Sequence, residues 1–67
     1  MEIGDKYMHT HIQGLTCTIL DITKKGAKVK IYIPKPYKWI GKRDKIEYYY
    51  RQDFSDEFSE YIAWAKI

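Results

Sequence analysis

Hydrophobic and polar positions alternate most clearly over Ala27-Lys28-Val29-Lys30-Ile31-Tyr32-Ile33, where Val29, Ile31 and Ile33 fall between Lys28, Lys30 and Tyr32. A period of two belongs to a strand with one face in a core and the other in water. Upstream, Leu15 to Ile22 is rich in β-branched residues, and Thr23-Lys24-Lys25-Gly26 is a short glycine-containing connection. The two segments are therefore predicted to pair as an antiparallel hairpin. Pro34 and Pro36 end the second strand, since proline cannot donate to a ladder. Lys35 to Asp44 then reads as a basic, aromatic loop.

Lys45 to Arg51 alternates again, with Ile46, Tyr48 and Tyr50 on one side and Lys45, Glu47, Tyr49 and Arg51 on the other. The first set, being the more apolar, is assigned to the core. In Asp53 to Ser59, Asp53 or Ser55 can cap one helical turn, and the spacing of Phe54 and Phe58 puts both rings on one side. A last strand, Glu60 to Ile67, follows this turn; a longer helix running to Lys66 is the rival reading of the same residues. At the front, Gly4-Asp5 opens a first strand, Lys6 to Ile12, with Met8, Thr10 and Ile12 opposite Tyr7, His9 and His11. Gln13-Gly14 turns the chain. The predicted core is Cys17, Ile19, Ile22, Val29, Ile31, Ile33, Ile46, Tyr48, Tyr50 and Trp64.

Five short strands and one helical turn before the last of them predict a single all-β small barrel over residues 1–67. In this order the chain resembles the Src homology 3-like small barrels, including their KOW and Tudor-type relatives. The resemblance is carried by the opening Gly4-Asp5-Lys6-Tyr7, the stretch Gly14 to Ile22, and the short turn before the final strand. It spans nearly the whole chain as a pattern, and the Lys35 to Asp44 loop is longer than the minimal form. Such barrels are mostly non-catalytic modules that bind nucleic acid or peptides, so the resemblance implies a binder. The small size is also similar to that of accessory proteins of phages and mobile elements.

Composition supports a folded chain. Of 67 residues, 45% are apolar and eleven are aromatic, enough for a core despite 31% charged residues. The length excludes a second core. No apolar run approaches the roughly 20 residues of a membrane span, and the first residues carry an acid where a signal peptide carries basic charge. The single Cys17 cannot form an internal disulfide, which fits a reducing cytoplasm.

Charge sharpens the functional expectation. The net charge of +3 conceals segregation: residues 24 to 45 hold nine basic side chains against Asp44 alone, whereas acids outnumber bases in both flanking segments. Lys28, Lys30, Lys35, Lys38, Lys42 and Arg43 supply cations for phosphates, and Tyr32, Tyr37 and Trp39 supply ring faces on which unpaired bases can stack. The predicted partner is nucleic acid, DNA or RNA. The blander alternative is a solvated face whose lysines keep an edge strand soluble.

A second expectation is protein binding. Trp39, Tyr37 and Arg43 are residue types that dominate interface hot spots. The acidic stretch Asp53, Asp56, Glu57 and Glu60 around Phe54 and Phe58 can mimic phosphate charge. An inhibitor of a host nuclease or defence enzyme is thus the rival to a nucleic-acid binder. Catalysis has little support: His9, His11 and Cys17 lack the ligand count and spacing of a structural zinc site. The glycines Gly4, Gly14, Gly26 and Gly41 read as turn residues, not a phosphate-cradling loop. No cofactor is expected.

Overall fold

In a computed structural model of the protein, residues 1–34 and 45–67 are described. They form one antiparallel-dominated sheet of six strands, curled into a half-barrel: β1 Lys6–His9, β2 Thr16–Ile22, β3 Gly26–Tyr32, β4 Lys45–Tyr50, β5 Phe54–Ser55 and β6 Trp64–Lys66. The strand order is β4-β3-β2-β1-β6-β5, and only β5 and β6 run parallel. This corrects the expected closed five-stranded barrel, because the sheet remains open between β4 and β5 and contains an extra two-residue strand. A 3-10 turn, Arg51–Asp53, connects those two edges directly.

The hairpin of β2 and β3 forms as the alternation predicts, with Cys17 opposite Ile31 and Ile19 opposite Val29. All four side chains are buried. A bulge at Leu20 shifts the register between Ile19 and Asp21, which increases the local twist and helps curl the sheet. Gly26 starts β3 where β4 passes closest: a Cβ there would lie 1.9 Å from the Tyr49 carbonyl oxygen. Only glycine fits that contact without moving backbone.

The core is Tyr7, Cys17, Ile19, Ala27, Val29, Ile31, Ile33, Trp64 and Ala65. Trp64 is fully buried, with the His9 and Tyr49 rings edge-on to it at 5.0 and 5.6 Å. Phe54 joins through edge contacts to Tyr7 at 5.1 Å and Tyr49 at 6.4 Å. Such perpendicular pairs suit the ring quadrupoles and add about 0.5–1.5 kcal/mol each beyond area burial.

The face of β4 is the reverse of the expected one. Ile46, Tyr48 and Tyr50 are exposed, and Tyr49 turns inward. Apolarity favoured the other phase, but β4 is the outermost strand. Its Lys45 and Glu47, opposite buried Ile31 and Val29, stay exposed, while Tyr49 lies opposite small Ala27 and packs against the core.

The ends of the chain also depart from expectation. β1 stops at His9, because the His9 Nδ1 accepts the backbone N–H groups of His11 and Ile12, both at 3.1 Å, and turns the chain there. In place of a helical turn over Asp53 to Ser59, the 3-10 turn lies earlier and Phe54 enters a strand. Phe54 packs on the core while Phe58 is exposed, so the two rings do not share one side. The longer helix to Lys66 does not form, and the last strand is confined to Trp64–Lys66.

Candidate functional site

The outer face of the sheet is built by register. Opposed residues of antiparallel strands share a face, so the pairs Lys6 with Thr18, Thr18 with Lys30, and Lys30 with Ile46 make one row across β1 to β4. A parallel row holds Met8, Thr16 and Tyr32. On the other side of the central row, Asp21 lies opposite Lys28 and Lys28 opposite Tyr48. Two residues further along β4, Tyr50 stands opposite Gly26.

Lys28, Lys30 and Tyr32, the three predicted site residues that fall on a strand, are thus placed on one exposed face. Lys35, Tyr37, Lys38, Trp39, Lys42 and Arg43 lie outside the described residues. Around Lys30 and Tyr32 the sheet forms an open depression of about 390 Å³ lined also by Lys6, Thr16 and Thr18. Two ammonium groups, two hydroxyls and a ring meet there. The cations suit phosphate oxygens, the hydroxyls donate to phosphate or sugar, and the half-exposed Tyr32 ring offers a stacking surface.

Sequence reasoning missed Lys6 because β1 is distant from β3 in the chain, and it missed Thr16 and Thr18 because the β2–β3 hairpin alone does not give the register that sets them opposite Tyr32 and Lys30. It also missed Tyr48 and Tyr50, which the inverted phase of β4 brings to the same outer face as the lysines. These two rings meet edge-to-face at 6.0 Å. Tyr48 is oriented by a 2.5 Å hydrogen bond between its hydroxyl and that of Thr23 in the hairpin. Asp21, opposite Lys28, brings an acid to this face, and its Oδ1 accepts the Ile22 N–H.

The inner face offers different chemistry. Cys17 is buried, and burial pushes its thiol up to about 12, so the thiolate needed for nucleophilic attack is not formed near neutrality. Tyr49 is likewise pushed up to about 12, by burial first and by its hydroxyl donating to Glu47 Oε2 at 2.9 Å second. His9 is held below the ordinary histidine value by burial, with His11 adding to the effect. His9 is the half-buried last residue of β1; His11 is exposed and its Nε2 lies 2.7 Å from the Glu60 carbonyl. Among the described residues no group of three or more His, Cys, Asp or Glu side chains is placed to hold a metal ion. Nor is any helix among them long and apolar enough to cross a membrane.

Comparison of the chain with protein-family models, curated proteins and solved structures finds no match in any of the three.

Proposed function

We propose that this domain is a non-catalytic nucleic-acid-binding module that contacts phosphates and unpaired bases through the outer face of β1 to β4. The carrying observation is the convergence of Lys6, Lys28 and Lys30 with the exposed rings of Tyr32 and Tyr48 on one face. Cations interleaved with rings are the composition of a sequence-tolerant single-strand binder. The solvated-face alternative accounts for the lysines but not for three half-exposed tyrosines and Ile46 among them, since solubility is served by fewer exposed apolar groups.

The Src homology 3-like resemblance is kept as part of this reading. Support comes from the β2-β3-β4 meander, β1 lying between β2 and β6, and a 3-10 turn following β4. A reducing cytoplasm as its compartment, and an accessory protein of a phage or mobile element as its kind, belong to the same proposal.

The test is fluorescence anisotropy of labelled single-stranded DNA, duplex DNA and RNA at about 50 and 200 mM salt, where phosphate contacts must weaken steeply. Saturable, salt-sensitive binding that is lost in a folded Lys30→Glu variant is the expected result. Absence of binding at the lower salt would refute the proposal.

The second reading, a protein-binding inhibitor, is favoured by the segment after β5. Phe58 and Tyr61 are 63% and 87% exposed among Asp56, Glu57 and Glu60. Rings bared within an acidic stretch suit a cationic protein partner.

A further inference from the structure

At the hairpin end of the outer face a second open depression of about 390 Å³ is lined by Lys25, Tyr50, Arg51 and Gln52. The Arg51 N–H donates to the Lys25 carbonyl at 2.8 Å, which ties the 3-10 turn to the hairpin and brings Lys25 and Arg51 to the same depression as Tyr50. Tyr50 is 59% exposed, and Tyr48 joins it edge-to-face on the side toward Lys28. Lys25, Tyr48, Tyr50 and Arg51 have no place in the set of site residues that the sequence suggested.

The two depressions lie along one strand. Tyr32 ends β3 and Gly26, opposite Tyr50, begins it. Six residue steps along the strand separate them, or about 20 Å at roughly 3.3 Å per residue. Lys30 and Lys28 stand between, at alternate positions on the same face. Rings therefore occur at both ends of a line of cations.

We infer that the hairpin-end depression of Lys25, Tyr50 and Arg51 is a second subsite on the same face, and that the two subsites together take one single strand of nucleic acid. This inference rests on the reading of the face as a nucleic-acid surface. A strand advances about 3.4 Å per nucleotide when stacked and further when extended, so about 20 Å corresponds to roughly three to six nucleotides. Duplex is disfavoured because its bases are already stacked and paired, and rings on a sheet face cannot reach them. In single strands the base faces are open to Tyr32, Tyr48 and Tyr50.

The test measures affinity for oligothymidylates and oligouridylates of about two, four, six and ten nucleotides, and for a duplex of about ten pairs, at about 50 mM salt. Affinity should rise steeply from two to about six nucleotides and then level off. Tyr50→Ala and Lys25→Glu should each weaken the six-nucleotide strand by about tenfold and leave the dinucleotide nearly unchanged. Lys25→Glu changes an exposed hairpin side chain, so it keeps the test decisive if Tyr50→Ala fails to fold. A plateau already at two nucleotides, or full affinity in both variants, would overturn the second subsite while leaving the nucleic-acid reading intact. Equal or better binding of duplex would overturn the single-strand assignment alone. No binding of any oligonucleotide would refute the nucleic-acid reading itself, and the subsite with it.

Discussion

Replacing each of two adjacent tyrosines, Tyr48 and Tyr49, by alanine separates the inner from the outer face of β4. Tyr49 points inward, with edge contacts to Trp64 at 5.6 Å and Phe54 at 6.4 Å and a hydroxyl bonded to Glu47. Truncating a buried ring costs about 3–5 kcal/mol, and Tyr49 is half-buried, so about 2–4 kcal/mol is expected. Tyr48 loses one exposed hydroxyl contact to Thr23 and its edge contact to Tyr50, about 1 kcal/mol or less. A domain of 67 residues has a total stability of roughly 3–10 kcal/mol, so Tyr49→Ala removes a large share of it. The assay is urea unfolding followed by circular dichroism, with Tyr49→Phe as a milder variant that keeps the ring and removes only the bond to Glu47. Tyr48→Ala should move the midpoint little and Tyr49→Ala should move it far. Equal losses, or a larger loss for Tyr48→Ala, would refute the inward placement of Tyr49 and with it the exposure of Tyr48 and Tyr50.

Two further outcomes follow from particular contacts. Gly26→Ala should destabilise the domain by about 1–3 kcal/mol or more, because the added Cβ meets the Tyr49 and Tyr50 backbone and not a side chain that can swing away; an unchanged melting temperature would contradict the close approach of β3 and β4. His9, whose folded value lies below the ordinary one, stabilises the fold as the neutral ring. Its contribution is complete above about pH 6.5, the ordinary histidine value, and is lost as pH falls toward the folded value. The slope is at most about 1.4 kcal/mol per pH unit. His9→Asn, which can still accept the His11 and Ile12 N–H groups, should flatten the stability profile between about pH 7.5 and 5; an unchanged profile would remove His9 as its source.

The alternation of β3 by itself determined the central hairpin, its inward Val29, Ile31 and Ile33, and its outward Lys28, Lys30 and Tyr32, because a period of two leaves no second phase when one set is aliphatic and the other largely charged. It was also legible that the chain is all-β and that Cys17, Ile19 and Trp64 belong to the core. The phase of β4 was not legible, since both of its faces contain tyrosine and the sequence does not say that this strand stands at an open edge. There, the rule that the more apolar face is inside fails: Lys45 and Glu47, opposite buried Ile31 and Val29, stay exposed, and the ring that turns inward is Tyr49, opposite small Ala27. Strand count and closure depended equally on tertiary contact, because β5 exists only through its pairing with β6. The outer face has the same origin. Lys6 of β1, Lys30 of β3 and Tyr48 of β4 are distant in the chain, and only strand register, which aligns pleats across the sheet, brings them together.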